Sequence, residues 1–240
     1  MGAHGRAGPT CQLGGVRRYG VMTVLPLTPD ELLTTTRSVR KRLDLTRPVP
    51  MELVTESLRI ALQAPTGSNR QHWHWMVITD PDTKAGIGEL YRRATERYLA
   101  AAQKAAEAQA PAGDSGTDME VMQRIRSSTA YLGEHMREVP VQVIACIEVD
   151  RPWREGENQA GLWGSLLPAA WSYMLACRAR HLGTAWTTLH LMYEKEAAEI
   201  LGLPDNVRQG VLIPTAYYTG ETFRPAPRRP LEEVMHLNHW

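Results

Sequence analysis

Ala64-Pro65-Thr66-Gly67-Ser68-Asn69-Arg70-Gln71-His72-Trp73 is the stretch from which the rest of the chain can be laid out. Pro65 closes the helix before it, because proline lacks a backbone donor and clashes with the preceding turn. Upstream, Met51, Val54, Leu58, Ala61 and Leu62 recur at helical spacing, so that helix opens at Met51. Downstream, Trp73 to Ile78 reads as a strand, with Asp80-Pro81-Asp82 as the turn after it. Gly67 permits backbone angles that other residues avoid. Thr66, Ser68, Asn69 and Gln71 offer donors and acceptors within a few residues. A helix, a small polar loop and a strand in this order suit the edge of a polar ring or a sugar-like chain. The alternative is a plain turn held by Ser and Asn side chains.

Outward from this unit, Thr28-Pro29-Asp30-Glu31 is a helix start: Thr as N-cap, Pro in the first turn, Glu three residues after the cap. That helix runs to about Thr36, and Pro48 and Pro50 force an extended link after it. Helices are predicted from Thr83 to Ala108 and from Asp118 to His135. Val141 to Ile147 is a continuous apolar, β-branched run, the mark of a buried central strand. Gln159 to His181 is a long helix, apolar on much of its circumference, and so a core helix or an oligomer interface, with Gly183 ending it. A short strand from Ala185 to Leu189, a helix from Glu194 to Leu201 and a strand from Val211 to Thr219 follow. Glu221 to Trp240, rich in Pro and Arg, reads as an extended arm. Strands interspersed with long helices give an α+β or α/β domain with helices around one sheet.

The chain has 240 residues, enough for one domain with extensions and a full core. Its net charge of +1 sets up no global field toward nucleic acid or acidic membranes. Three cysteines without metal or CxxC spacing fit a reducing compartment, which points to the cytoplasm. No apolar run reaches the roughly 18 residues of a membrane span, so no membrane partner is expected. Residues 1–24 read as a disordered leader, with Met22 a candidate start, and residues 25–240 as one domain. Within it, residues 100–118 form a flexible insertion or lid and residues 221–240 the C-terminal arm.

Thr36-Arg37-Ser38-Val39-Arg40-Lys41 carries the second set of candidate groups. Arg37, Arg40 and Lys41 share one face if the helix continues. A phosphate monoester carries nearly two charges and accepts several hydrogen bonds; arginine meets it bidentately and a Ser hydroxyl adds another donor. A solvated basic helix end is the plainer alternative. Combined with the polar loop, the segment suggests a phosphate attached to a ring system, and a bound flavin nucleotide leads. There is no GxGxxG on a strand-to-helix turn and no GxxxxGK[ST], so any nucleotide is held by another device. His72 and His74 would share a strand face, but no third ligand is indicated and no metal is expected. Gly164-Ser165 lacks a nucleophile elbow, and no cysteine sits beside a histidine. The side chains offer no catalytic team, which leaves the chemistry to a cofactor. A nucleic-acid patch is disfavoured because aromatic interleaving is absent.

From about Leu27 to the C-terminus, the order of these pieces resembles the FMN-dependent nitroreductase family. The Arg37-Ser38-Val39-Arg40 segment, the Ala64 to Trp73 loop (similar to the family's A-P-S-x-x-N-x-Q-P-W), the Leu182-Gly183-Thr184 end of the long helix and the Arg228-Arg229-Pro230 tail carry the likeness. The wording looks closest to an actinobacterial branch with Thr-Thr-Arg-Ser-Val-Arg-Lys-Arg-Leu and Trp-Thr-Thr-Leu-His-Leu. The resemblance implies an α+β fold with a central, mostly antiparallel sheet surrounded by helices. It implies an intertwined homodimer with an exchanged C-terminal arm and FMN at the interface.

By the same resemblance Arg37, Ser38, Arg40 and Lys41 would bind the phosphate and ribityl chain, joined by Arg228 and Arg229. Asn69 and Gln71 would contact the ribityl chain or the pyrimidine edge, and Pro65, Thr66, Gly67 and Ser68 would line the site from the partner. The Thr187-Thr188-Leu189 strand end would offer a backbone N–H to flavin N5. Tyr131, Trp163 and Trp186 are candidate pocket walls, with ordinary core or dimer packing as the alternative for each. His72 stands where the family usually has proline, and no lysine near flavin N1 is evident, with Arg70 the candidate substitute. The implied activity is ping-pong: NADPH or NADH reduces the flavin at N5, then a nitroaromatic, quinone or similar small oxidant is reduced. No side chain is catalytic in this scheme, because FMN carries the chemistry. Dehalogenation or flavin breakdown on the same scaffold, and an FMN-binding storage or sensor protein, are the alternatives.

Overall fold

In a computed structural model of the chain, residues 24–108, 116–150 and 159–240 are described. The expected leader, apart from Val24, and Cys11 lie outside these residues, as do residues 109–115 of the segment read as a lid; residues 100–108 continue one helix and residues 116–118 open the next. Helix α1 (Pro29–Thr35) opens on the expected capping box, with Thr28 and Glu31 each bonding the other's backbone N–H. Helix α2 (Met51–Ala61) buries Leu53, Val54, Ser57 and Ala61. Strand β1 (Trp73–Ile78) follows the polar loop. Helix α3 (Pro81–Ala108) starts two residues before the predicted point. The Asp80-Pro81-Asp82 turn is in fact its start: the Asp80 carboxylate accepts from the Thr83 N–H at 2.8 Å, and proline fits a first turn.

Helix α4 (Gly116–His135) leads to strand β2 (Val141–Glu148), and helix α5 (Ala160–Ala179) to strand β3 (Leu182–Thr184). Helix α6 (Glu194–Leu201) and strand β4 (Val207–Tyr217) complete the domain. The four strands lie in the order β1-β2-β4-β3, every neighbouring pair antiparallel. This is the α+β arrangement expected.

β2 lies inside the sheet and its residues alternate between two cores. Ile144 and Cys146 join Ile87, Leu90 and Tyr91 of α3, Leu132 of α4 and Ala197 of α6. Val143, Ala145 and Ile147 join Leu53 and Val54 of α2 and Leu166, Ala170, Tyr173 and Met174 of α5. The continuous apolar run is therefore a strand buried on both faces. β4 carries one extra residue opposite the Ala145/Cys146 step, and that residue is Gly210. A Cβ there would come within 2.5 Å of Leu166 Cδ2, so the glycine lets α5 seat against the sheet.

The predicted strand at Ala185–Leu189 lies earlier, at Leu182–Thr184, and Gly183 is inside it and does not cap α5. His181, at φ 63°, turns the chain out of the helix. Gly183 serves packing: a Cβ would meet Leu43, Tyr218 and Val39 at 3.1–3.3 Å.

Candidate functional site

The segment after α1 lies along the β3 edge. Ser38 bridges Thr184 in parallel, and the Val39 N–H donates to the Thr184 carbonyl at 2.7 Å. The Ser38 hydroxyl oxygen accepts the Trp186 N–H at 2.9 Å. Its own proton is not used in any of these contacts. Val39 and Leu43 are buried and pin the segment, so Arg37, Arg40 and Lys41 are held at one site without any continuing helix.

The tail is drawn onto this segment by two arginines. Arg37 Nη2 donates to the Arg224 carbonyl. Arg42 donates to the carbonyls of Thr219 (2.6 Å) and Thr222 (3.0 Å), and its guanidinium lies 4.2 Å from the centre of the Phe223 ring. Thr219, Thr222, Phe223 and Arg224 are thus held against their own chain.

The result is a cavity of about 1120 Å³ bounded by residues 37–42, the tail at Phe223 and Ala226 to Arg228, and one face of α4. Arg37, Arg40, Lys41, Arg42, Arg124 and Arg228 line it against a single carboxylate, Glu120. None of the six forms an ion pair among the described residues, whereas Arg70, Arg92, Arg93 and Arg180 elsewhere do. The Nε atoms of Arg37 and Arg40 are buried and bond to nothing. The same holds for the Nε atoms of Arg126, Arg178 and Arg208, so it is the concentration of unpaired cations around this one cavity that fits an anionic group.

Arg40 also connects the cavity to the other predicted half. Tyr91 is buried, which pushes its hydroxyl pKa up; the bond to Thr187 and the nearby charge of Arg40 pull the other way. The Tyr91 and Thr187 hydroxyls lie 3.1 Å apart. The Thr187 N–H is spent on the Leu212 carbonyl, but Thr188 and Leu189 donate their N–H groups to no protein acceptor among the described residues. Of the three amides proposed for a ring edge, these two are free to serve.

The polar loop stands elsewhere. Ser68, Asn69 and Gln71 adopt positive φ, and the Gly67 N–H donates to Ser165 Oγ of α5 at 2.9 Å. The Gln71 amide donates to Asn69 Oδ1 at 3.0 Å, and Pro65, Ser68, Asn69 and Gln71 are exposed, with Thr66 half-buried. The loop precedes β1, at the sheet edge opposite β3, about 14 Å away by strand spacing. One chain does not bring loop and cavity together. Arg70 beside it is committed to Asp150 at 2.6 Å.

The three candidate wall residues are also dispersed. Trp163 donates to Gln159 Oε1 at 3.0 Å, and Trp163 and Trp186 pack against the core on the α5 side. Tyr131 sits on α4 with its ring 4.4 Å from that of His135. Arg229 is exposed outside the cavity lining. Cys146 and Cys177 are buried, which pushes both thiols up to about 12, so neither is a ready nucleophile. The α4 residues Arg124, Ser127 and Ser128 went unnoticed in the sequence; their i, i+3, i+4 spacing was the available signal.

The nitroreductase family pattern matches residues 33–217. The chain belongs to the nitroreductase family. Among relatives of this nitroreductase-family chain, iodotyrosine deiodinase 1 of Rattus norvegicus is 24% identical over 208 residues, spanning 85% of this chain and 67% of that protein. An NADH dehydrogenase of Thermus thermophilus is 29% identical over 214 residues, spanning 83% and 90%. Two solved structures share the fold at 20% identity and a TM-score of 0.62. One is oxidized iodotyrosine deiodinase bound to FMN and 3-iodo-L-tyrosine, covering 88% of this chain and 98% of that one. The other is an FMN and NADPH-dependent nitroreductase from Sphigopyxis sp. strain HMH, covering 89% and 100%.

Proposed function

We propose that this chain is an NAD(P)H-dependent FMN oxidoreductase acting on a small organic oxidant, assembled as a homodimer. The observation that carries the proposal is the cavity lined by six cations without ion-pair partners among the described residues. Arg37, Arg40 and Arg228 would hold the phosphate, with the Ser38 hydroxyl proton as a further donor. The amides of Thr188 and Leu189 would face the ring edge at N5. When bound, FMN supplies two-electron chemistry, taking electrons from a nicotinamide and passing them to the oxidant in turn. The protein's part is to bind, orient and exclude water, and cations beside the ring would stabilise negative charge on it.

The loop at the far sheet edge supports the dimer. Its side chains bond one another and face outward, so a partner's cofactor is the natural recipient of Thr66, Gly67, Ser68, Asn69 and Gln71.

The test is colour. Purified protein, supplied with FMN, is expected to be yellow with an oxidised-flavin spectrum, and anaerobic NADPH or NADH should bleach it. A protein that takes up no FMN overturns the proposal; one that binds FMN but is bleached by neither nucleotide is a binding or sensing protein.

A second reading is reductive dehalogenation, favoured by the matches to deiodinases. Release of iodide from 3-iodo-L-tyrosine by the dithionite-reduced protein would support it, and no release excludes it.

A further inference from the structure

Once a phosphate is accounted for, the cavity still has more cations than it needs. Six cationic side chains face one carboxylate, and a phosphate monoester brings at most two negative charges. One of them, Arg124, stands on α4, across the cavity from the residue 37–42 segment. Lys41 Nζ reaches across the cavity and donates to Ser127 Oγ at 2.7 Å, which fixes that face of α4 against the residue 37–42 segment. Arg124 is one turn before Ser127 and four residues before Ser128, so all three share the face that lines the cavity. Arg124 is exposed, and the hydrogen bond from its Nε is a long one, 3.4 Å to the Glu120 carbonyl in its own helix. Its Nη atoms, the pair that forms a bidentate fork with an oxyanion, remain available. Apolar Val121 and Ile125 flank it on the same wall. The Ser128 hydroxyl donates to the Ile125 carbonyl at 2.9 Å, so Ser127 is the hydroxyl left on this wall. A guanidinium, an ammonium and one hydroxyl beside apolar side chains suit an oxyanion carried on an organic body.

We infer that Arg124, with Lys41 and Ser127, is a second anion-recognition element, which selects an anionic group on the molecule that shares the cavity with the flavin. The inference rests on the oxidoreductase reading above and names its substrate class. Two sources offer this chemistry: the 2′-phosphate of NADPH, and a carboxylate on the oxidant. Both present oxyanion oxygens to the same fork, and the wall that reads them is distinct from the clamp of Arg37, Arg40 and Arg228. In a cavity of one dominant sign, such a group also gains from the local field, which salt weakens.

The experiment compares wild type with Arg124→Ala and Arg124→Lys as flavin-loaded proteins. Equilibrium titrations without turnover use 2′,5′-ADP against 5′-AMP for the first source and 4-nitrobenzoate against nitrobenzene for the second. Steady-state kcat/KM is measured for NADPH against NADH. Arg124→Ala is expected to keep stoichiometric flavin and to weaken the 2′-phosphorylated or the carboxylated ligand about tenfold to a hundredfold, the range for a charge-assisted bond. The paired ligand lacking that group should change less than about twofold, and Arg124→Lys should recover part of the loss. Which pair responds identifies the source. Equal changes within both pairs, or no change in either, overturn the inference while leaving the oxidoreductase reading intact. Loss of flavin from Arg124→Ala also overturns it, by placing Arg124 in the phosphate clamp. A wild type that takes up no flavin defeats the underlying reading instead.

Discussion

The hydroxyl oxygen of Ser38 accepts the backbone N–H of Trp186 at 2.9 Å, across 148 residues of sequence. This bond ties the cation-bearing segment to the stretch after β3 that carries Thr187, Thr188 and Leu189. Two pieces of the proposed site, each ambiguous as sequence, become one rigid unit. Ser38→Ala leaves the half-buried Trp186 N–H without its acceptor, which costs about 1–3 kcal/mol. For a chain of this size that lowers Tm by roughly 2–4 °C per kcal/mol. Thermal unfolding and FMN titration of the variant check this; unchanged Tm and unchanged FMN affinity would show that the bond does not organise the site.

Arg37→Ala combined with Arg228→Ala removes two cations from the proposed phosphate clamp. Hydrogen bonds to charged groups contribute about 1.5–3 kcal/mol each, so the pair should weaken FMN by two to four orders of magnitude, roughly speaking. The protein should purify colourless, and absorbance at the flavin band measures it. Retained stoichiometric flavin means that the phosphate lies elsewhere. Arg37 also holds the Arg224 carbonyl, so Arg228→Ala alone is the cleaner probe of charge, with a smaller expected loss.

Much of the fold was legible because local signals agreed with long-range packing. The Thr28 capping box, the amphipathic α2 and the β2 run each specify one element, and each forms as read. The errors came where tertiary contacts outweigh local pattern. Gly183 looked like a helix cap, yet it is small because Leu43, Tyr218 and Val39 crowd it. Pro81 looked like a turn because proline serves turns and first helical turns equally. In the site, the family wording marked Arg37, Ser38 and Arg40, but not how the tail comes to rest on them. Arg42 does that through carbonyls at Thr219 and Thr222, and acceptors of that kind leave no trace in a side-chain pattern. The α4 wall was missed because Arg124 has a role only once the cavity it faces is known.

His190 sets an acid limit on stability. It is fully buried, both ring nitrogens lack partners among the described residues, and burial lowers its pKa from 6.5 to about 3. Below pH 6.5 the unfolded chain takes up a proton that the native state refuses until about pH 3, so stability falls as pH drops through that window. At about 1.4 kcal/mol per pH unit, lowering the pH from 6.5 to 4.5 costs on the order of 2–3 kcal/mol from this residue. His190→Leu should flatten that part of the profile. Urea unfolding of both proteins at the two pH values measures the difference, and parallel profiles would exclude His190 as its source.

Gly88 lies inside α3, where alanine would ordinarily add about 1 kcal/mol of helix stability. A Cβ at this position would fall 2.6 Å from Arg137 Cβ and 2.9 Å from the Arg137 backbone, which cannot rotate away. Overpacking of this kind costs about 1–3 kcal/mol or more. The clash therefore outweighs propensity, and Gly88→Ala should lower the urea midpoint. A raised midpoint would mean that α3 and the turn at Met136–Glu138 are less closely packed than the distances indicate.

The end of the tail supplies the test of assembly. Leu231, Val234, Met235, Leu237 and Trp240 are all exposed, within ten residues, on a segment whose regular structure is one short 3-10 turn at Leu231–Glu233. A large apolar side chain stabilises by about 1.5–3 kcal/mol when fully buried, and the isolated chain collects only part of this from the first four and none from Trp240. Exposed apolar clusters of this kind mark contact surfaces. The first part of the tail is held by Arg37 and Arg42, so the last ten residues are the part able to reach a second copy. Deleting residues 231–240 should raise the dimer Kd at least a hundredfold, about 3 kcal/mol, and loosen flavin with it. In the full-length chain, Trp240 should emit at shorter wavelength than a solvent-exposed indole, read as the difference spectrum against Trp240→Phe. Sedimentation of wild type as a folded, flavin-loaded monomer would defeat both the dimer and the role of the Thr66 to Gln71 loop, because no second chain would then bring that loop to the cofactor.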